Sequence, residues 1–234
     1  MNVQKATATY AVDPAPQTVL PVEGSDLLFP VRRVYCVGRN FAAHAIEMGS
    51  DPNREPPFFF QKNPNNLLVG RDFPYPVASN DVHHEIEMVV ALRKGGDSIP
   101  AEKALDYVYG YGVGLDMTRR DLQGIAKDTG RPWEVGKAFE DSAPCTPLLP
   151  ADKIGHPANG AVTLDVNGVR KQTGDLNQMI WKVPEMISYL SGLFTLAPGD
   201  IIFAGTPSGV GPVKRGDHLV GRVEGVGTLE VRVV

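Results

Sequence analysis

The sequence predicts a β-rich α+β fold in which many short strands are joined by turns and accompanied by a few short helices. Glycine and proline are frequent, at 25 and 20 of 234 residues, and they are spread along the chain without a repeat. Such a distribution favours short strands and turns over a helical bundle. Apolar and polar residues also alternate in segments 83–92 and 164–171, as they do in strands with two different faces.

Strand and helix signals follow one another in the N-terminal part of the chain. Val31–Val37 predicts the first core strand. Asn40 is a favourable N-cap for a helix over Phe41–Met48, and Gly49 is a favourable stop. After a proline-rich loop, the apolar and aromatic run Phe58–Gln61 predicts that the chain resumes as a strand.

Turn and helix-start signals organise the remainder of the chain. Asn167-Gly168 separates two alternating runs, which is the strongest short-range signal for a hairpin. Pro184 fits the first turn of a helix that continues to Leu190. The other expected elements are a strand over His83–Leu92, a short helix over Ala101–Asp106, an extended segment over Val108–Asp116, a helix over Thr118–Lys127, a buried strand over Ile201–Ala204 and two strands around Gly225–Gly227.

Composition and charge exclude several classes of protein. Hydrophobic residues make up 42% and charged residues 21% of the chain, as in an ordinary globular domain. The net charge of −4 gives no basic surface for nucleic acid, and the sequence has no apolar run of about 18 residues that would span a membrane. The N-terminus lacks the apolar stretch of a signal peptide, so we expect a cytoplasmic protein whose Cys36 and Cys145 are reduced thiols.

Glu85 and Glu87 form an acidic pair in an otherwise apolar segment. On a strand their carboxylates leave from the same side, where like charges repel and burial is costly. A divalent cation removes that cost, and Mg²⁺ and Mn²⁺ prefer hard oxygen ligands. Asp116, after an extended glycine-rich segment, is a third candidate ligand. On spacing alone, the pair is also typical of a solvent-exposed strand face, and that alternative stays open.

Five motifs occur in order along the chain: GRNFAAHAIE at 38–47, HHEIEM at 83–88, LDMTRRDLQ at 115–123, PWEVGKAF at 132–139 and GDIIFAGTPSGVGPV at 199–213. Together they resemble the fumarylacetoacetate hydrolase family, and several motifs in register are a more specific signal than one short pattern. The resemblance implies a mixed β-roll or sandwich with short helices, usually as a homodimer. It makes residues 31–234 the catalytic domain and leaves residues 1–30 as an N-terminal extension.

The resemblance also implies a metal and a reaction. It assigns Glu85, Glu87 and Asp116 as ligands of one Mg²⁺ or Mn²⁺ ion per subunit, while His83 and His84 are expected to pack nearby or to support the ligands. The implied reaction is hydrolysis of a C–C bond in a 1,3-diketo acid. A metal that chelates the keto-acid end stabilises the departing enolate as a Lewis acid.

Three residues are expected to carry the proton and charge chemistry. His44 and Glu47 share a face of the predicted helix, so Glu47 can orient His44 as the base that activates water. By spacing alone they are also an ordinary surface pair, and the resemblance favours the functional interpretation. Lys137, in other contexts a solvated surface charge, is expected to face the metal and to stabilise an oxyanion or enolate.

A further set is expected to bind the substrate. Arg120 is suited to a bidentate contact with a carboxylate, although Arg119-Arg120 also fits a helix surface. Thr206, in the loop GTPSG, offers a hydroxyl and neighbouring backbone N–H groups, although the glycines also fit a tight turn. The predicted substrate-binding set is Arg39, Lys62, Arg120, Gln123 and Thr206.

The segment Phe58–Asn66 narrows the expected substrate, because it resembles the fumarylpyruvate hydrolases of gentisate degradation. Lys62 in this segment is expected to pair with the distal carboxylate of a dicarboxylic substrate. The predicted reaction is fumarylpyruvate plus water giving fumarate and pyruvate, in aromatic catabolism. The alternatives are an acylpyruvase or oxaloacetate decarboxylase, an isomerase on the same scaffold and, from a different class, a non-catalytic protein that binds keto acids.

Overall fold

The computed structural model describes residues 9–41 and 55–234. Within those ranges the strands are β1 (Val19–Pro21), β2 (Leu28–Pro30), β3 (Arg33–Gly38), β4 (Phe58–Lys62), β5 (Leu67–Leu68), β6 (Val82–His84), β7 (Ile86–Leu92), β8 (Val108–Leu115), β9 (Thr118–Arg119), β10 (Ala143–Pro144), β11 (Leu149–Pro150), β12 (Ala161–Val166), β13 (Val169–Asp175), β14 (Asp200–Phe203), β15 (Gly211–Val213), β16 (His218–Val223) and β17 (Gly227–Arg232). The α-helices are α1 (Arg120–Asp128), α2 (Glu134–Lys137), α3 (Ala151–Ile154) and α4 (Val183–Leu193), and short 3-10 helices span Pro64–Asn66, Ala101–Tyr107 and Leu176–Gln178. This composition confirms the predicted β-rich α+β class.

A six-stranded mixed sheet in the order β11-β8-β7-β14-β3-β4 forms the centre of the fold. Only the β14–β3 pair in this sheet is parallel; its other pairs are antiparallel. A four-stranded antiparallel sheet, β13-β12-β16-β17, packs against one face and contributes to the larger core cluster. The β1–β2 hairpin packs against the other face in a smaller cluster.

The two faces of β7 pack into these two different cores. Met88 and Val90 belong to the larger cluster, whereas Val89 belongs to the smaller cluster together with Phe203. The predicted alternation is therefore correct, but neither face is exposed to solvent. The solvent-face explanation of the acidic pair is consequently wrong. Gly114 on β8 is required by this packing, since an added Cβ would lie 2.5 Å from the Phe203 ring.

The predicted hairpin at Asn167-Gly168 is present between β12 and β13. Asn167 has φ 51° and Gly168 has φ 76°. Positive φ at both central residues is the requirement of the type I′ turn that two-residue hairpins favour. The predicted helix at Pro184 is also confirmed, and it continues to Leu193.

The segment His83–Leu92 differs from its prediction as one continuous strand. It is divided into β6, in a three-stranded sheet of order β15-β6-β9, and β7 in the central sheet, with Glu85 between them. The chain changes sheets at this residue. The predicted helix start also moves, because Thr118-Arg119 pairs with β6 before α1 begins. The helix expected over Phe41–Met48 lies outside the described residues beyond Phe41.

The N-terminal residues that the structure describes pack onto the fold. Leu20 and Phe29 are 0% and 7% exposed, both in the smaller core cluster. The expected division between extension and domain at residue 30 stays a prediction. In the described part of the chain, none of the helices has the length and apolar character needed to cross a membrane.

Candidate active site

Sheet register brings the three predicted metal ligands together. Ile86 on β7 lies opposite Leu115 on β8, so Glu85 and Asp116 are neighbours where the two strands end. The Asp116 backbone N–H donates to the Glu85 carbonyl at 2.9 Å. One carboxylate oxygen from each of Glu85, Glu87 and Asp116 lies within 4.8 Å of the others. Antiparallel pairing thus brings together acids that are about thirty residues apart in sequence.

The acidic cluster is buried, with Glu85, Glu87 and Asp116 only 5%, 2% and 0% exposed. Burial, followed by the charges of Asp116 and Glu85, raises the pKa of Glu87 well above its usual value, although the Gly205 N–H donates to Glu87 Oε2 at 2.7 Å. Asp116 Oδ1 is a buried oxygen without a hydrogen-bond partner among the described residues. Three converging carboxylates, one of them with an oxygen that accepts no hydrogen bond in the described part of the chain, are the hard ligands that Mg²⁺ and Mn²⁺ prefer, so the residues fit such an ion.

Lys137 and Arg120 both contact Glu85, and Lys137 also contacts Asp116. Lys137 Nζ lies 2.9 Å from Glu85 Oε2 and 2.6 Å from Asp116 Oδ2. Arg120 Nη2 donates to Glu85 Oε1 at 2.6 Å. Burial lowers the pKa of Lys137, but the carboxylates of Asp116 and Glu85 outweigh this effect and raise the pKa overall. Lys137 therefore stays protonated and adjacent to the cluster, where the sequence predicts it.

Lys62 occupies a different place from the one expected of a substrate contact. Its Nζ donates to Met117 O at 3.1 Å and to Ser142 Oγ at 3.0 Å, and also to the Lys137 carbonyl. It lies 2.9 Å from Asp116 Oδ1, in a contact not directed as a hydrogen bond. The side chain is buried and does not line the cavity. This position differs from the predicted contact with the distal carboxylate of the substrate, because Lys62 contacts Asp116 from within the protein and not from the cavity.

A cavity opens onto the acidic cluster. Helix α1 forms one wall with Arg120, Gln123 and Lys127, which share a face because their spacing is i, i+3 and i+7. Arg120 Nη1 donates to Gln123 Oε1 at 2.6 Å, so these two side chains are held together. The lining residues are Val37, Gly38, Arg39, Phe60, Glu85, Glu87, Asp116, Arg120, Gln123, Lys127, Trp133, Lys137 and Thr206.

Two cationic side chains in the cavity lining, Arg39 and Lys127, differ from Arg120 and Lys137, which form ion pairs with the acidic cluster. Within residues 9–41 and 55–234, no ion pair is formed by Arg39 or Lys127. Arg39 was expected at the substrate, and it adopts a left-handed φ of 57°, which is uncommon outside glycine, asparagine and aspartate. Lys127 was not predicted, although its helical spacing from Arg120 and Gln123 is a signal that could have identified it.

The loop that contains Thr206 also contributes to the cavity lining. Gly205 has φ 94°, and an added Cβ would lie 2.6 Å from Asn40 Cβ, so glycine is required there. Thr206 is buried, and its Oγ1 accepts from Gln172 Nε2 at 2.8 Å. Sequence inspection missed Gln172, because nothing near it along the chain marks it.

The predicted water-activating pair, His44 and Glu47, lies outside the described residues and stays a prediction. Cys36 and Cys145 are free and fully buried. Burial raises the pKa of Cys145 to about 12 and that of Cys36 well above its usual value. Both thiols therefore stay protonated and unreactive at neutral pH.

Known proteins share this fold and much of this sequence. Residues 33–234 match the family described as "Fumarylacetoacetate (FAA) hydrolase C-terminal". The structure of fumarylpyruvate hydrolase from Pseudomonas aeruginosa in complex with Mn²⁺ and pyruvate is 52% identical, with a TM-score of 0.95, covering 97% of this chain and 99% of that one. Its Mn²⁺ agrees with the divalent-ion fit of the acidic cluster.

Two further relatives carry different names. The mitochondrial oxaloacetate decarboxylase of Dictyostelium discoideum is 43% identical, over 84% of this chain and 91% of the relative. The mitochondrial oxaloacetate tautomerase of Mus musculus is 40% identical, over 86% and 91%. The match over residues 33–234, the identities and the converged acids give one conclusion: this chain belongs to the fumarylacetoacetate hydrolase family.

Proposed function

We propose that this enzyme hydrolyses fumarylpyruvate to fumarate and pyruvate, with one Mg²⁺ or Mn²⁺ ion held by Glu85, Glu87 and Asp116. The observation that carries the proposal is the distribution of charge in the cavity. Its inner end has the acidic cluster, and its lining also includes two cations, Arg39 and Lys127, without ion-pair partners in the described part of the chain. A substrate with a keto acid at one end and a carboxylate at the other suits this arrangement.

The reaction exchanges one C–C bond for one C–O bond. The oxygen of water bonds to the acyl carbonyl carbon, and the bond from that carbon to the methylene carbon breaks. The electron pair stays on the methylene carbon, which takes up a proton and becomes the methyl group of pyruvate. A bound divalent ion supplies Lewis-acid stabilisation of the negative charge that develops on the keto-acid end.

The residues around the cluster have separate roles in this proposal. Lys137, buried and protonated, stabilises negative charge on the substrate oxygen nearest to it. Thr206 and Gln123 line the cavity and orient the substrate. Arg120 holds Glu85, and its buried Nε has no hydrogen-bond partner among the described residues. His44, oriented by Glu47, takes a proton from the attacking water.

The distal carboxylate is assigned to Lys127 and Arg39 in place of Lys62. The seven residues from Arg120 to Lys127 cover about 10 Å along a helix, which matches the reach of an extended seven-carbon diketo acid. Lys127 is exposed, so its ammonium is free to meet a carboxylate that enters from solvent. Lys62, in contrast, is enclosed by protein oxygens.

Loss of the diketone absorbance on mixing protein, Mn²⁺ and fumarylpyruvate tests the proposal, with fumarate and pyruvate quantified as products. Acetylpyruvate is the matched substrate, because it keeps the keto acid and lacks the distal carboxylate. We expect faster turnover of fumarylpyruvate. Turnover of acetylpyruvate alone would replace the proposed substrate with an acylpyruvate.

Oxaloacetate is the second candidate substrate, for decarboxylation or tautomerisation, and the 43% and 40% identical relatives favour it. It carries a keto acid and a second carboxylate only one methylene away, so it would not reach Lys127. Release of CO₂ from oxaloacetate above the metal-only rate would identify the decarboxylase. A change in the keto–enol ratio without release of CO₂ would identify the tautomerase.

The homodimer, the cytoplasmic location and the place in gentisate degradation are further parts of the proposal. Size-exclusion chromatography with light scattering tests the dimer.

A further inference from the structure

Gln172 lies on β13, in the four-stranded sheet that faces the central one, and its side chain is 0% exposed. The register of β13 against β12 shifts at this place: Leu164 lies opposite Gln172, but Asp165 lies opposite Arg170. Lys171 is thus the extra residue of a β-bulge. Bulges re-aim neighbouring side chains, and here Gln172 points out of its own sheet toward the strand junction that carries Glu85.

The side-chain amide of Gln172 is fully hydrogen-bonded to two other segments. Its Oε1 accepts from the Ile86 backbone N–H at 3.1 Å and lies 2.9 Å from His84 Nδ1. Its Nε2 donates to Thr206 Oγ1 and to the Pro207 carbonyl, both at 2.8 Å. The N–H of Ile86 and the carbonyl of Pro207 determine which amide atom is oxygen. His84 must then carry its proton on Nδ1.

The oxygen side of this amide holds the chain on both sides of a metal ligand. His84 and Ile86 are the two neighbours of Glu85, and Glu85 is the residue at which the chain passes from β6 to β7. At this junction Ile86 N–H bonds to a side chain from a different sheet. The direction in which the Glu85 carboxylate leaves the backbone therefore depends on Gln172.

The nitrogen side of the amide holds the loop that carries Thr206. Backbone packing supports the same contact: a Cβ on Gly209 would lie 2.1 Å from the Lys171 carbonyl oxygen, and a Cβ on Gly174 would lie 2.6 Å from Pro207 Cβ. The loop is thus seated directly on the bulged part of β13. One amide joins a metal-ligand segment to a substrate-side loop.

We propose that Gln172 is a positioning residue that sets Glu85 for metal binding with its oxygen and Thr206 for substrate binding with its nitrogen. Its catalytic consequence rests on the proposed function, whereas its effect on metal binding does not. A leucine at this position fills the volume and leaves four polar groups unpaired. A glutamate keeps an acceptor for Ile86 and His84, but it presents a carboxylate oxygen to the Pro207 carbonyl.

Two variants distinguish the role of the Gln172 amide oxygen from the role of its amide nitrogen. For Gln172→Leu we expect Mn²⁺ affinity, measured by titration calorimetry, to fall about 10- to 100-fold, the range observed for groups that hydrogen-bond around metal ligands. For Gln172→Glu we expect Mn²⁺ affinity to stay within about threefold of the wild type, together with a raised KM for the keto-acid substrate, since only the Thr206 half is disturbed.

A control variant accounts for general loss of stability. Val162→Ala removes two buried methyl groups from the strand next to β13, inside the larger core cluster and away from the cavity lining. Val162→Ala should lower the melting temperature and leave Mn²⁺ affinity unchanged.

A Gln172→Leu variant that binds Mn²⁺ like the wild type would overturn the proposal. An equal loss of affinity in Val162→Ala at equal destabilisation would also overturn it. A wild type that binds Mn²⁺ without cleaving fumarylpyruvate would refute the proposed function and leave the metal-binding result standing.

Discussion

The inner and outer parts of the cavity lining are built from different kinds of structure. At the inner end, the acids lie at strand ends and junctions, they are buried, and cationic side chains contact Glu85 and Asp116. In the outer part, Arg39, Lys127 and Trp133 are partly or fully exposed, and the two cations have no ion-pair partner in the described ranges. The difference teaches that sheet register brings together the groups that fit a metal ion, while a turn and a helix supply the side chains to which we assign the distal end of the substrate.

The largest effect is expected at the inner end. Asp116→Asn keeps the shape and removes the charge of a ligand, so turnover should fall about a thousand-fold, the equivalent of several kcal/mol of lost Lewis-acid stabilisation. Steady-state kinetics at saturating Mn²⁺ measure this. Asp106→Asn, on the exposed 3-10 helix, is the charge-matched control. Near-wild-type turnover of Asp116→Asn would mean that the acidic cluster is not the catalytic centre.

A second prediction separates charge stabilisation from metal holding at the same end. Lys137→Met should lower kcat about a hundred-fold, as the loss of one preorganised donor to a developing anion does. Mn²⁺ affinity should stay equal or increase, because Lys137 shares the carboxylates of Glu85 and Asp116. Calorimetry alongside kinetics reports both quantities, with Lys103→Met, exposed and outside the cavity lining, as control. Weaker Mn²⁺ binding would show that Lys137 mainly keeps the cluster folded.

The outer part is expected to respond more weakly and selectively. Lys127→Met should lower kcat/KM for fumarylpyruvate about tenfold, the value of one charged hydrogen bond near solvent. Acetylpyruvate should be turned over at the wild-type rate. Lys103→Met, exposed and outside the cavity lining, is the matched control. Equal loss on both substrates would remove Lys127 from the specificity-determining set.

The last prediction concerns the stability of the fold and not its turnover. Mn²⁺ at a hundred times its Kd should stabilise the fold by about 2.7 kcal/mol, a rise in melting temperature of about 5–10 °C for a domain of this size. Chelation should reverse the shift, and Asp116→Asn should not show it. A similar rise in Asp116→Asn would place the stabilising ion elsewhere on the protein.

Local chemistry explains what the sequence could predict and what it could not. The Asn167-Gly168 turn depends only on its own two residues, so it was predictable. The adjacency of Glu85 and Asp116 depends on β7–β8 register, and the motif resemblance supplied it before the structure did. Lys62 was misplaced because a lysine in a polar segment gives no sign that it will be buried against carbonyl oxygens from elsewhere in the chain.

Tertiary structure alone reveals the remaining parts of the site. The helix that Asn40 was expected to cap lies outside the described residues, so that role stays a prediction. The Asn40 side chain donates to the carbonyls of Trp181 and Ala204 and accepts from the Trp181 N–H. Gln172 reaches His84 and Ile86, the two neighbours of Glu85, and also Thr206, because a bulge directs it out of its sheet. Neither interaction leaves a pattern in the local sequence, since Asn40 and Trp181 are 141 residues apart and Gln172 and Ile86 are 86 residues apart.

The position of Glu85, where the chain leaves one sheet and enters another, also limits how such a site can change. A ligand held within a single strand can be transplanted with that strand, or lost with it, as a module. A ligand held at a junction is inherited only when both sheets and the side chain that spans them are inherited together. Exchange of β7 and β8 alone between relatives should therefore transfer the acidic residues but not the arrangement of their carboxylates. Divergence in this scaffold is thus expected to accumulate in the outer part of the cavity lining.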